Sequence, residues 1–391
     1  MYPMDQSLQD ITQRIHSAAA VGARLRIRGG GTKDFYGETV SGEVLDTREL
    51  AGITSYEPSE LVVTARAGTP LAELEALLAQ SGQCLPFEPP RFAFGEATGL
   101  SIGGLTGGTT VGGMVAAGLA GPARASVGSV RDYVLGASLI NGKGEALTFG
   151  GTVMKNVAGY DVSRLMAGSM GTLALITEVS LKVLPVPPGE ATLRFAMNQS
   201  QALKAINDWG GQPVPLNASC WLEESGPRPQ GAGGPTAGAL YVRLRGAVAA
   251  VDAARRKMGG EDAAFDWQAV RDQTHPFFAH RQGMCLWRLS VAQSAPVLDF
   301  NASPFIEWHG GQRWLHAPTA DAGRIREAAL AANGHAILWR EGEGHGKAES
   351  ETTSAGKTAP VFAPLAAPLD RMNRALRQQF DPAGVFNTGR L

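Results

Sequence analysis

The chain has 391 residues, 50 of them glycine, with 44% hydrophobic and 18% charged residues. That is a globular balance, long enough for two or three domains with full cores, and 23 prolines without a Gly-X-Y period exclude collagen. Thirty-five basic residues against 36 acidic ones leave a net charge of −1 with no Lys/Arg-rich run, which excludes nucleic-acid binding through a basic footprint.

The first part of the chain mixes strands and helices. Leu25 to Arg28 alternates like a strand and runs straight into Gly29-Gly30-Gly31-Thr32. A second strand is predicted at Leu61–Ala65, then a helix capped by Thr69 with Pro70 at its first position, ending at Gly82. From Ala97 to Ala123 no charge occurs over 27 positions, but nine glycines make this a buried, turn-rich loop rather than a transmembrane helix. Val134 to Phe149, turning at Asn141-Gly142-Lys143-Gly144, reads as a hairpin, and Leu173 to Leu184 as a long strand.

Pro185 to Gly189 reads as a linker. Beyond it the pattern is antiparallel α+β, with one covered sheet face. Strands are predicted at 218–222, 240–245, 286–291, 305–308, 312–316 and 336–340, and helices at 247–258, 320–333 and 369–380. Ser225–Gly238 and Glu341–Pro360 read as mobile surface loops. Cys84, Cys220 and Cys285 are scattered without a Cys-x-x-Cys, so neither a protein-borne iron–sulfur cluster nor a structural metal site is predicted, and a reducing compartment fits. The first ten residues lack the basic and apolar regions of a signal peptide.

Three small-residue turns adjoin regular elements. A strand feeding Gly29–Gly31 offers consecutive backbone N–H groups with no Cβ in the way, which suits a phosphate nest as well as a tight strand-ending turn. Neither a Walker A motif nor a G-x-G-x-x-G fingerprint is present. Thr110 to Gly118 opens a helix made of small residues, and Gly168 to Thr172 turns into the long strand; together they favour one extended ligand.

The runs RGGGT (28–32), TVGGMVAAGLAGP (110–122), GSVRDYVLGASLINGKGE (128–145) and GGTVMKNVAGYDVSRLMAGSMGTLALITEVSLKVLP (150–185), with FDPAGVFNTGRL (380–391), resemble the PCMH (vanillyl-alcohol-oxidase) type of FAD-binding protein. The MKNVAGYD signature resembles the FAD-binding subunits of bacterial glycolate oxidases. The resemblance implies an α+β fold: a PCMH-type FAD-binding domain of two α/β subdomains (1–185), an antiparallel-sheet cap domain (190–375) and a tail returning to the FAD domain (376–391). It assigns FAD to Arg28, Gly29, Gly30, Gly31, Thr32, Lys33, Thr110, Gly112, Gly113, Gly118, Asp161, Gly171, Thr172 and Ile176. For Asp161 and Arg164, helix capping and an internal ion pair stand beside ligand contact. No histidine lies between His16 and His275, so non-covalent FAD is expected.

It further implies a subunit that works with a homologous FAD-containing catalytic subunit and an iron–sulfur subunit on a small hydroxy acid. The complex would be cytoplasmic, at most peripheral to the inner face of the membrane. A self-sufficient hydroxy-acid or alcohol oxidase, and an assembly subunit with a vestigial flavin cleft, are the alternatives. Catalytic residues are the least legible part. Arg288, Arg313 and Arg340 sit on predicted strands that could present a cation to a carboxylate, and His345 lies in a partial echo of the His- and carboxylate-rich segment of catalytic subunits. His275 and His280, like His309 and His316, lack metal-ligand spacing.

Overall fold

In the helix Gln6–Val21 (α1), Ile11, Ile15 and Ala18 recur at intervals of three and four and form its buried face. They pack on Leu25, Leu45 and Leu50, so the parallel pair Leu25–Arg28 (β1) and Glu43–Asp46 (β2) is held over a small apolar cluster. The computed structural model describes residues 6–92, 108–152, 161–224, 238–342 and 359–391. Residues 225–237 of the predicted loop 225–238, the segment 343–358 with His345, residues 93–107 and residues 153–160, which hold all of the MKNVAGYD signature but Asp161, lie outside the described residues.

The first lobe continues with Ile53–Glu57 (β3), Val62–Arg66 (β4), Leu71–Gln80 (α2) and Gln83–Cys84 (β5). Then come Val111–Ala117 (α3), Arg124–Val127 (α4), Val130–Tyr133 (α5), Val134–Asn141 (β6), Ala146–Gly150 (β7), Val162–Leu165 (α6), Ala174–Lys182 (β8) and Leu184–Pro185 (β9). An antiparallel sheet in the order β3-β4-β8-β6-β7 carries the main core, with Leu71, Leu74 and Leu78 of α2 and Val111, Met114 and Val115 of α3 laid on it. Thr69 does not cap α2: Pro70 holds that position, and the Thr69 hydroxyl instead bonds the N–H and C=O of Gly52, both at 3.0 Å. A buried hydroxyl spent on a neighbouring turn is unavailable to the helix.

The second lobe runs through Gly189–Ala196 (β10), Gln199–Gly210 (α7), Leu216–Glu223 (β11), Gly238–Gly246 (β12), Val248–Met258 (α8), Glu261–Asp262 (β13) and Trp267–Asp272 (α9). It ends with Cys285–Ser290 (β14), Phe305–Glu307 (β15), Gln312–Ala317 (β16), Ala322–Ala331 (α10) and His335–Arg340 (β17), and Ala367–Phe380 (α11) follows. Its eight strands order as β13-β10-β12-β11-β15-β16-β14-β17. The expected linker is shorter than read, because Pro185 pairs with Gln83 and Gly189 already pairs with Gly246.

Both faces of this sheet are covered, not one. Trp221 packs with helices α7 and α8, whereas its neighbour Cys220 packs with Tyr36, Phe92, Leu119 and Met170 of the first lobe. At the seam, Glu88 accepts two bonds from the Arg243 guanidinium at 2.7 and 2.8 Å, one from Arg245 at 3.3 Å and one from the Ala123 N–H at 3.1 Å. The tail then returns to the first lobe. Leu25 N–H donates to Val385 O and Asn387 N–H to Leu25 O, while the Asp381 carboxylate accepts from Val385 and Phe386 N–H.

Candidate functional site

Where β1 ends, the chain must turn without side chains. Gly31 has φ +74, a left-handed conformation that costs an L-residue about 1–2 kcal/mol, and a Cβ there would stand 2.5 Å from Arg28 Nη2. Gly29 leans on Thr110, whose hydroxyl a Cβ would overlap. Thr110 caps α3 by accepting from Gly113 N–H at 3.2 Å, and Gly112 lets that helix settle on Ala67, 2.5 Å from where its Cβ would be. Close backbone approach at three glycines leaves an open cleft between the glycine loop, α3 and the start of β8.

Of the residues assigned from sequence, Arg28, Gly29, Gly30, Gly31, Thr32, Lys33, Thr110, Gly112, Gly113, Gly171 and Ile176 line this cleft. Gly118, Asp161 and Thr172 do not. Gly118 ends α3 at φ +65, against the backbone of Gly168. Asp161 caps α6 and pairs with Arg164 at 3.1 Å, and the Thr172 hydroxyl closes its own turn on Ser169 O at 2.7 Å. These are local geometric duties.

Arg26, Asn387 and Arg390 are among the lining residues that the sequence reading missed. Arg26 is on β1, and its Nε is buried with no hydrogen-bond partner. Asn387 joins the tail to the cleft, accepting from Ile27 N–H at 2.8 Å and donating to Met170 O at 2.7 Å. Arg390 donates to Lys33 O and Asp34 O at 2.9 and 3.1 Å. The alternation of Leu25–Arg28 could have flagged Arg26; nothing local marks the other two. The wall thus carries Arg26, Arg28, Lys33 and Arg390 against Asp34, which pairs with Arg28 at 2.6 Å. Burial lowers the Lys33 ammonium to about 7, with Asp272 opposing that shift. Its Nζ donates to the Thr32 and Thr109 hydroxyls at 3.2 and 3.3 Å. A glycine-floored cleft with surplus positive charge and an orphaned guanidinium nitrogen fits a pyrophosphate-bearing dinucleotide.

The arginines proposed for a carboxylate separate. Arg313 is sealed in the second lobe, donating to the carbonyls of Gly310, Ala295 and Pro296, and burial pulls it down to about 10. It is a backbone clamp, because desolvation demands that its donors be satisfied internally. Arg340 is also pulled down to about 10 by burial and donates to Gln273 Oε1 at 2.7 Å. Arg288 faces the seam between lobes, its guanidinium 4.6 Å from the Trp339 ring and 5.5 Å from that of Tyr36. Near it, burial raises Glu307 to about 7, against the lowering effects of Trp314, Gln312 and Arg288. Sequence reasoning missed Glu307, since one acid in an apolar strand carries no motif. Among the described residues, no group of three His, Cys, Asp or Glu could hold a metal, and no helix is long and apolar enough to cross a membrane.

Comparisons agree with this geometry. A family model for an FAD binding domain matches residues 6–109. The glycolate oxidase subunit GlcE of Escherichia coli is 42% identical over 384 residues, covering 98% of this chain and 97% of that protein. The glycolate oxidase subunit GlcD of Bacillus subtilis is 29% identical over 46% of this chain and 36% of its own length. An alkyldihydroxyacetonephosphate synthase structure superimposes with a TM-score of 0.61 at 15% identity, over 98% of this chain and 76% of that one, a likeness of fold alone. The chain therefore belongs to the PCMH-type FAD-binding flavoprotein family that includes the glycolate oxidase subunit GlcE.

Proposed function

We propose that this chain is the flavin-binding subunit of a glycolate (2-hydroxy acid) oxidase or dehydrogenase complex. In this reading it holds FAD without a covalent bond, works beside a homologous FAD-containing catalytic subunit and passes electrons towards an iron–sulfur subunit. One observation carries the proposal: the likeness to GlcE runs through nearly the whole of both chains, the cationic glycine cleft included. Residues 1–185 would form the FAD domain, 190–375 the cap, and 376–391 the returning tail.

The N–H groups of Gly29 to Thr32, with Arg26 and Arg390, would hold the pyrophosphate, and Gly112, Gly113, Gly171 and Ile176 would offer a close, small-residue surface to the rest of the dinucleotide. FAD, when bound, supplies a two-electron acceptor for the hydroxy-acid carbon. Thr32 and Lys33 follow the glycines where a tethering histidine would stand, which supports a dissociable cofactor. Cys84, Cys220 and Cys285 lie on β5, β11 and β14, too dispersed to ligate one cluster, which supports the reading that an iron–sulfur centre would sit on another subunit.

The test is to express the chain alone and with the products of its neighbouring genes. Flavin released by acid precipitation, co-purification and glycolate-dependent dye reduction are scored separately. Bound, acid-extractable FAD with dye reduction only in the assembled complex is the expected result. A chain that stays colourless after added FAD, or one that turns glycolate over fully by itself, overturns the proposal.

A further inference from the structure

Helix α11 (Ala367–Phe380) is built unlike the other long helices. Each of α1, α2, α7, α8 and α10 buries two or three side chains, whereas α11 buries none. At about 100° per residue, Leu369, Met372, Leu376 and Phe380 fall in one stripe roughly 80° wide. The later half of that stripe is covered: Leu376 and Phe380 pack on the first-lobe core, and the Phe380 carbonyl accepts from Gly142 N–H at 2.9 Å. The earlier half is not. Leu369 and Met372 are 56% and 61% exposed, and Leu365, four residues before Leu369, is 51% exposed. A further uncovered side chain, Leu391, is held beside the helix, because Arg377 Nη2 donates to Leu391 O at 3.2 Å. Helices of this length draw their stability mainly from packing of the apolar face, and here half of that face is spare.

The chemistry of the helix selects what covers it. Its charges are Arg371, Arg374 and Arg377 against Asp370, and Asp370 is already taken by Arg374 at 2.6 Å. Two copies of the helix would bring cations together, so a second copy of this chain is disfavoured and carboxylates are wanted opposite. A bilayer surface is disfavoured too. Interfacial helices carry lysine on the polar face and tryptophan or phenylalanine on the apolar one. Helix α11 has no lysine and no tryptophan, and its one phenylalanine is turned onto the core. Methionine and arginine without lysine or glutamate are instead the bias of a protein–protein contact, where methionine adapts to its seat. Four partly exposed side chains fall short of the roughly 800 Å² that each partner of a stable complex buries, so the helix is one ridge of a larger contact.

We propose that the first two turns of α11, with Leu365, form a docking ridge that lies in an apolar, carboxylate-rimmed groove of another subunit of the complex. That the partner is a subunit rests on the flavin-subunit reading above, whereas the uncovered face and its charge do not.

The complex assembled from the full chain and the products of its neighbouring genes tests this. Hydrogen exchange compares amides 367–374 in the free chain and in the complex, and we expect at least tenfold slowing on assembly. Leu369→Gln with Met372→Gln should weaken binding to the immobilised partner subunits at least tenfold. Arg371→Glu with Arg374→Glu should weaken it as well, with the larger effect at low salt. Leu330→Gln, which removes a 72% exposed leucine from α10, is the control and should change nothing. FAD content and melting temperature check the fold; if the double variant fails them, Met372→Gln alone decides. Full-strength binding by the glutamine variant, or unchanged exchange at 367–374, overturns the proposal while leaving the subunit reading standing. So does a dimer of the free chain, or its flotation on phosphatidylglycerol vesicles, that the glutamine variant abolishes, since a second copy or lipid would then cover the face. A wild-type chain that assembles with none of the neighbouring products overturns the proposal and the subunit reading together.

Discussion

Glu88 is the residue on which the two lobes turn, and removing it gives a sharp prediction. It stands at φ +49 with its side chain 14% exposed, facing an Arg243 side chain that is 4% exposed. Glu88→Ala strips the carboxylate and leaves Arg243 buried, with Asn217 Oδ1 at 2.7 Å and the Trp267 ring at 5.1 Å as its partners among the described residues. Breaking a buried pair from one side costs about 3–5 kcal/mol, because the orphaned charge keeps its desolvation penalty. Unfolding entropy near 2.1 cal/mol/K per residue gives roughly 0.8 kcal/mol/K for a chain of 391 residues unfolding as one unit. The melting temperature should therefore fall by about 4–6 °C, read by calorimetry. Arg243→Met in the same background should restore part of the loss, since no charge is then left uncompensated. A fall of less than about 1 °C, or a strictly additive double mutant, would refute the seam as a cooperative joint.

Gly31→Ala should weaken FAD retention about tenfold or more, since it strains φ +74 and displaces Arg28 from Asp34; equilibrium dialysis checks it, and unchanged affinity would make the loop a mere turn. Asn387→Ala should detach the tail from Ile27 and Met170 and lower both FAD affinity and protection of the Ile27 amide from hydrogen exchange. Lys33, lowered to about 7 by burial, should take up a proton when the anionic cofactor enters. FAD binding then weakens as pH rises above 7, and calorimetry in buffers of different ionisation enthalpy reads the proton; Lys33→Met should abolish the uptake. For Glu307 the folded pKa of about 7 lies above the ordinary 4.5, so the folded state holds the proton longer. Stability should drop as pH rises across that window, by roughly 3 kcal/mol in all, and Glu307→Gln should flatten the urea midpoint over the same range.

What could be read from the sequence was local. The glycines at 29–31 announce a backbone turn, which Gly31 makes at φ +74, and the second-lobe strands predicted at 218–222, 240–245, 286–291 and 312–316 are present as β11, β12, β14 and β16. What could not be read depends on register between separate elements. Arg390 reaches the cleft only because Asn387 N–H pairs with Leu25 O, which threads the last residues beside β1. Glu307 and Gln312 meet only because β15 and β16 pair them directly across the sheet. Neither pairing has a signal within a window of one element.

The same limit explains why motif membership divided as it did along α3. Gly112, Gly113 and Gly118 belong to one small-residue run, and the run alone treats them alike. A helix advances about 100° per residue, so six residues carry Gly118 roughly 240° round from Gly112 and off its face. Gly112 accordingly lines the cleft over Ala67, whereas Gly118 caps the helix and admits Gly168 on the other side. A methyl group should tell them apart. Among the described residues outside its own helix backbone, a Cβ at Gly113 meets Thr110 Oγ1 at 3.0 Å and nothing else within 4 Å, so Gly113→Ala disturbs the cleft and should lower FAD affinity with little loss of stability. At Gly118, φ +65 and the Gly168 Cα 2.8 Å away make Gly118→Ala a folding lesion first. Equal effects of the two on cofactor affinity and melting temperature would mean that the run acts as one unit, and that the division of faces drawn here is wrong.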